Sequence, residues 1–143
     1  MLDQSGIKSV VFEKVDQNPV EKNVWEGVSA YRGGGCDSIV GLGGGSPLDA
    51  AKAVRLMVHH PPPISRYDES TGGDQHVTPH LPPYVAIPTT AGTGSEVGRS
   101  ASIILDDTRR KTNLTSPHLL ANAAILDPEL TQGLPAFITA ATG

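Results

Sequence analysis

The chain has 143 residues, with 11 lysines and arginines against 15 aspartates and glutamates, for a net charge of −4 at neutral pH. That length suits one domain, whose folding buries roughly 68–70 % of the unfolded surface. A composition 38 % hydrophobic and 18 % charged predicts a soluble globular protein, excluding both disorder and a bilayer span of ~20 apolar residues. The acidic balance speaks against a nucleic-acid groove, which wants a basic face. The single cysteine, Cys36, can form neither an internal disulfide nor a cysteine zinc site. With Leu2-Asp3-Gln4 after Met1 in place of a secretory leader, the expected setting is the cytoplasm.

Sixteen glycines and twelve prolines punctuate the apolar segments. Ile7 and Ser9–Phe12 predict a buried strand. Asn18-Pro19 reads as a helix cap and first helical residue. Val20, Val24, Val28 and Tyr31 then mark one helical face, closed by Gly33-Gly34-Gly35. Ser38–Leu42 predicts a second strand and Gly43-Gly44-Gly45 a turn. Ser46 caps, and Pro47 opens, a helix running to about Val58. The polar side chains of that helix, Asp49, Lys52 and Arg55, form a narrow stripe on an otherwise apolar surface, so it should be covered on most sides.

His59 to Pro83 is polar and proline-rich, which predicts a surface excursion. Tyr84–Ile87 is a further strand, followed by the hydroxyl- and glycine-rich loop Thr89–Ser95. Ser102–Leu105 and Lys111–Leu114, joined by Asp106–Arg110, predict a β-hairpin. Ala123–Leu126 predicts another strand, and a last helix opens at Pro135. Strands alternating with helices give an α/β fold: an open, mainly parallel, Rossmann-like sheet with flanking helices and one β-hairpin.

Two loops carry the chemistry. Gly43-Gly44-Gly45-Ser46 lies between a strand and a helix. There, backbone N–H groups freed of side chains, together with the helix N-terminus, suit a diphosphate. Favourable charge–dipole contacts at such a site are worth about 0.3–1 kcal/mol each. The dinucleotide fingerprint is broken at Ser46 and the Walker lysine is missing, so a simple tight turn fits the same residues. Thr89, Thr90, Thr93 and Ser95, with Gly92 and Gly94, also follow a strand end, where open parallel sheets bind ligands. A solvated turn is the alternative.

The stretches Gly43-Gly44-Gly45-Ser46-Pro47-Leu48-Asp49-Ala50-Ala51-Lys52-Ala53 and Ile87-Pro88-Thr89-Thr90-Ala91-Gly92-Thr93-Gly94-Ser95-Glu96-Val97 come in order with two later ones. These are Leu126–Thr131, and Gly133-Leu134-Pro135 with Thr139–Gly143. Together they resemble the iron-containing (group III) alcohol dehydrogenases from about Ile7 onward. The resemblance implies an oxidoreductase that transfers hydride between an alcohol or aldehyde and NAD or NADP. It places pyrophosphate at Gly44, Gly45 and Ser46 with Asp49 close by, and phosphate and ribose at Thr89, Thr90 and Thr93. It gives Lys111 to the ribose, Asn18 to the adenosine and the segment from Leu130 to the nicotinamide end. Read from the residues alone, Lys111 is a solvated charge and Asn18 a helix cap.

The family holds its divalent metal, iron or zinc, in a second, helical domain whose first ligands follow the equivalent of Gly143. Its opening strand and ribose-reading acid precede the equivalent of Ile7. Residues 1–143 are therefore expected to form a partial dinucleotide-binding domain with no metal ligands and no catalytic residue of its own. His59, His60, His76, His80 and His118 read as surface histidines, since Pro79 prevents a helical His76/His80 pair. Cys36 reads as a small buried residue, Asn113-Leu114-Thr115 as a sequon that a cytoplasmic protein leaves unused. Two other readings stand beside the enzyme: a nucleotide-binding module without turnover, and a homo-oligomer paired through open sheet edges. Neither nucleic acid nor membrane is expected as a partner.

Overall fold

In the computed structural model, which describes residues 2–142, the fold is α/β. Helix α1 spans Glu21–Gly33, strand β1 Ile39–Gly43, helix α2 Gly45–His59 and strand β2 Tyr84–Pro88. Strands β3 (Ser100–Ile104) and β4 (Lys111–Thr115) follow, then the short β5 (Ala123–Ala124) and helix α3 (Ala136–Thr142). Met1, with which the leader reading begins, and Gly143, with which the last motif closes, lie outside the described residues.

Strands β1, β2 and β5 form a parallel sheet in that order, with β2 in the middle. The register runs from Ile39 opposite Tyr84 to Gly43 opposite Pro88. The predicted hairpin is β3–β4, a separate antiparallel ribbon running from Ser100 opposite Thr115 to Ile104 opposite Lys111. Helix α2 is the axis of the molecule, packed against α1, β1, β2 and β3. Its apolar residues Ala53, Leu56 and Met57 join Val24 and Val28 of α1 with Ile103 and Leu114 of the hairpin in the main core. Leu48, Tyr84 and Ala86 form a second, smaller cluster under the sheet.

The structure corrects several expectations. Ile7–Phe12 is no buried strand: the segment is extended and bonded to no described strand, while β1 pairs with β2 alone among the described residues. Ile7, Val10 and Val11 are exposed and Phe12 is half-buried. Val10 and Phe12 lean on α1 at its glycines. A Cβ built on Gly34 would sit 2.5 Å from Val10 Cγ2, and one on Gly27 3.4 Å from Phe12 Cε1. An apolar run reports a need for cover, not for a particular ladder partner. At the start of α1 the cap is Val20, whose N–H donates to Asn23 Oδ1 at 2.9 Å. Asn18 is left to bond elsewhere. Helix α2 starts two residues earlier than predicted, capped by Gly44, and Ser46 donates its hydroxyl to the Gln17 carbonyl.

The excursion after α2 is not confined to the surface. Three short 3₁₀ turns bring Ile64, Tyr67 and Val77 into the main core, apolar anchors that the polar composition around them concealed. His60 is buried: its Nδ1 lies 3.0 Å from the Leu56 carbonyl and its Nε2 accepts the Thr78 N–H at 2.9 Å. That pattern fixes a neutral ring, and burial holds its pKa below the ordinary value. Arg55 is also turned inward. It donates to the carbonyls of Pro82, His118 and Leu120 and to Asn122 Oδ1, tying the start of β2 to the turn before β5.

Candidate functional site: two glycine-hydroxyl loops at one sheet edge

Because β1 and β2 run parallel and end opposite each other at Gly43 and Pro88, the chain leaves both strands at the same edge of the sheet. The Thr89 N–H donates to the Gly43 carbonyl at 2.9 Å, stitching the two exits together. Gly43 has φ +144°, and a Cβ there would meet Pro47 Cγ at 2.7 Å, so glycine is required on both counts. Gly44 stands against Thr90, whose Oγ1 would be 3.1 Å from a Cβ at that position. Gly45 faces Thr93 and Ser95, each 3.5 Å from the equivalent point. Gly44, Gly45, Thr90, Thr93 and Ser95 thus lie together at the N-terminus of α2, where the first-turn N–H groups lack intrahelical acceptors.

Asp49 lies one turn along α2. Its Oδ2 accepts the Ser102 N–H of β3 at 3.1 Å, and its Oδ1 is 3.8 Å from Lys52 Nζ. Burial pushes the Asp49 carboxyl up in pKa, partly offset by the Ser102 N–H, the Lys52 charge, the Ser95 hydroxyl and the Lys111 charge. On β4, Lys111 donates to Asn18 Oδ1 at 3.0 Å, so the hairpin and the segment before α1 meet at the same rim. Of the residues singled out in the sequence, Asn18, Gly44, Gly45, Ser46, Asp49, Thr89, Thr90, Thr93 and Lys111 are brought into this region. Leu130 stands on the separate turn Pro128–Thr131, 41 % exposed. Among the described residues no hydrogen bond joins it to either loop.

Three residues at the site escape a reading of the sequence. Lys52 is wholly buried, and its Nζ donates to the Ser100 carbonyl at 2.8 Å. Burial lowers its pKa, opposed by Asp49 and Glu96. Glu96 has one carboxylate oxygen, Oε2, buried with no hydrogen-bond partner. Ser102 supplies the backbone donor to Asp49. The spacing of Lys52 three residues after Asp49 is the one local signal, but it describes a surface ion pair equally well. Among the described residues no three His, Cys, Asp or Glu side chains gather into a group able to hold a metal. No helix is long and apolar enough to cross a membrane among them.

The sequence pattern of the family described as iron-containing alcohol dehydrogenase matches residues 1–128. The chain belongs to that family. It is 46 % identical over 138 residues to the 4-hydroxybutyrate dehydrogenase of Cupriavidus necator, a match that covers 96 % of this chain and 36 % of that protein. To the choline dehydrogenase of Bacillus subtilis it is 39 % identical, covering 99 % of this chain and 35 % of that one. Among solved structures, 1,3-propanediol oxidoreductase superposes with a TM-score of 0.92 at 39 % identity, over 99 % of this chain and 36 % of that chain. A sulfoacetaldehyde reductase from Bifidobacterium kashiwanohense, solved in complex with NAD+, gives a TM-score of 0.86 at 34 % identity over 94 % and 35 % of the two chains. This family member therefore spans little more than a third of the length of these relatives.

Proposed function

We propose that this chain is the nucleotide-holding part of a dehydrogenase that moves a hydride between an alcohol, or the matching aldehyde, and NAD or NADP. The observation that carries this reading is the pairing of Gly44 with Thr90. Two bare turns, one rich in hydroxyls, face each other at a helix N-terminus, and a side chain on Gly44 or Gly45 would crowd Thr90, Thr93 and Ser95 in the recess between them. A pyrophosphate fits such a cradle, taking hydrogen bonds from the amides of Gly44, Gly45 and Ser46. The NAD+ complex of a relative of the same fold supports the choice of ligand.

In this reading Thr89, Thr90 and Thr93 offer hydroxyls to phosphate and ribose. Lys111, held by Asn18, offers its remaining ammonium protons to ribose oxygens, and Asn18 lies at the adenosine side. The Ser46 hydroxyl is already engaged with Gln17, so Ser46 acts through its N–H. Asp49 is engaged with Ser102 and Lys52, so it orders the floor of the site and leaves the ligand to its neighbours. The segment from Leu130 provides apolar contact for the nicotinamide end. When bound, the nicotinamide accepts or gives the hydride. The described residues do not form a set that fits the iron or zinc of the family, and no metal-dependent step is assigned to them.

The test is nucleotide binding by the purified chain, read by NADH fluorescence and by thermal unfolding with NADH, NADPH and ADP. Binding raises the melting temperature, since a ligand at a hundred times its Kd contributes about 2.7 kcal/mol. The absence of both a fluorescence change and a thermal shift at millimolar nucleotide overturns the reading. Binding without alcohol oxidation, with or without ferrous or zinc ions, reduces it to a nucleotide-binding module.

A further inference from the structure

His59 and His80 are far apart in the chain, yet their rings stand side by side, centres 4.4 Å apart and planes tilted by 34°. Both residues are exposed. The backbone around them holds the contact in place. His59 is the last residue of α2, and His60 beside it turns inward. The buried His60 ring accepts the Thr78 N–H at 2.9 Å, which anchors the chain two residues before His80. Just after His80, Leu81 packs against the main core and the Pro82 carbonyl accepts from Arg55 Nε. On the helix side, Arg32 donates to the Val58 carbonyl at 2.8 Å, one residue before His59. Both histidines are thus carried on anchored main chain, and their side chains are left to turn.

Neutral imidazole is the commonest side-chain ligand for metal ions. Two nitrogens that share one ion, each about 2.0–2.1 Å from it as in zinc sites, are at most about 4.2 Å apart. Rings with centres 4.4 Å apart reach that spacing by side-chain rotation, without movement of the chain. Among the described residues no third His, Cys, Asp or Glu joins them, so water completes the coordination. We propose that His59 and His80 form a binding site for one transition-metal ion, Cu2+ in preference to Ni2+ or Zn2+. Imidazole suits all three ions, and divalent affinity rises to a maximum at copper, with ferrous ion low in the order. Magnesium and calcium take oxygen ligands, which this pair does not offer. Arg32 acts on His59 by charge, so a cation gains nothing here without coordinate bonds. Gly45 and His59 are the two ends of α2, roughly 21 Å apart for a rise of 1.5 Å per residue. The pair is therefore remote from the glycine loop and independent of the nucleotide reading. A bound ion clasps the end of α2 to the segment that enters β2, and an ion that favours the folded chain raises its melting temperature. Zinc added to a dehydrogenase assay then stabilises the chain through this pair, whether or not any alcohol is oxidised.

The test uses the full chain freed of any histidine tag. Cu2+ binding is followed by calorimetry against glycine as a weak competing chelator, and by electron paramagnetic resonance. Wild type should take up one ion with two nitrogen ligands. His59→Gln and His80→Gln should each weaken uptake by about tenfold or more, since groups that merely orient a metal ligand are already worth about 10–100-fold. Without metal, both variants should melt near wild type, because both positions are exposed. The rise in melting temperature that Cu2+ or Ni2+ gives the wild type should vanish in each. His76→Gln, at another exposed histidine, is the control and should bind as wild type does. Wild-type affinity in either His59→Gln or His80→Gln overturns the proposal. So does an equal loss in His76→Gln, a spectrum with one nitrogen ligand, a shift with Mg2+ that matches Cu2+, or no uptake by wild type. Should a variant not fold, the wild-type spectrum decides. None of these results bears on nucleotide binding, which is read separately with NADH.

Discussion

Lys111 reaches back across 93 positions of sequence to donate to Asn18 Oδ1 at 3.0 Å. The contact joins the second hairpin strand to the segment just before α1, on the rim where both loops open. Lys111 also acts on Asp49 by charge.

Because both partners are exposed, Asn18→Ala and Lys111→Met should change stability by no more than about 0.5 kcal/mol. On the proposed reading each weakens NADH binding, Lys111→Met by about tenfold and Asn18→Ala by less, since Asn18 orients the ammonium. Parallel fluorescence titrations and melting curves check both halves of this expectation.

Gly44 has φ −77°, a conformation open to any residue, so Gly44→Ala introduces no backbone strain. Its new methyl would sit 3.1 Å from Thr90 Oγ1, inside the recess. The melting temperature should stay near wild type while nucleotide affinity drops about tenfold or more. Gly43→Ala is the control: at φ +144° and 2.7 Å from Pro47 it should lower stability by about 1–3 kcal/mol before any ligand is added. Equal affinities of Gly44→Ala and wild type for NADH would remove the recess as the phosphate site.

Asp68 is buried away from the site and accepts from the Thr112 hydroxyl, the Ser70 N–H and Arg110. Burial alone would raise its pKa. The hydrogen bonds from Thr112 and Ser70 and the Arg110 charge outweigh it, and the net shift is downward. A depressed carboxylate adds stability that is complete above its unfolded pKa of about 3.9 and disappears as pH falls through the lower folded value. Chemical unfolding between pH 5 and the acid limit should therefore show a stability loss that Asp68→Asn flattens. At neutral pH, Asp68→Ala should cost about 2–3 kcal/mol.

Two glycines away from the site give opposite expectations. A Cβ on Gly73 would fall 2.4 Å from the Tyr67 carbonyl carbon, 2.5 Å from Arg66 O and 2.6 Å from Asp68 N, all main-chain atoms that cannot rotate away. Gly73→Ala should cost about 3 kcal/mol or more and loosen the excursion that carries Asp68. Gly33 ends α1 with nothing within 4 Å of that point and no positive φ. Gly33→Ala should stabilise by about 0.4–1 kcal/mol, visible in urea unfolding as a higher midpoint with an unchanged slope.

Much of the site was legible in the sequence because its logic is local. Ile39–Gly43 and Tyr84–Pro88 are apolar runs cut off by glycine or by proline and threonine, so the residues themselves put both loops at strand ends. Parallel pairing then puts them side by side. What stayed hidden depends on partners far along the chain. Val10 and Phe12 look like strand residues, yet what they touch is the glycine side of α1. Ile64, Tyr67 and Val77 are isolated apolar residues in a polar stretch, and periodicity cannot show that they return to the core. Lys52 reads as one more charge on a helix because its burial depends on Ser100 and Glu96, distant in the chain. Asn18 suits a helix cap on local grounds, and only the arrival of Lys111 from the hairpin gives it another bond.

The ladder that sets Gly43 opposite Pro88 makes the recess sensitive to length more than to composition. Deleting one residue from β1 would slide Gly44 along the sheet by about 3.3 Å and turn alternate side chains to the other face, putting Ser46 where Gly45 now faces Thr93 and Ser95. Insertions in the excursion between α2 and β2 leave that alignment untouched. Anyone recombining segments of this protein with those of its kin should therefore exchange β1 and β2 as one block, with their junctions counted residue by residue, and keep any extra sequence in the connecting excursion clear of its core anchors Ile64, Tyr67 and Val77.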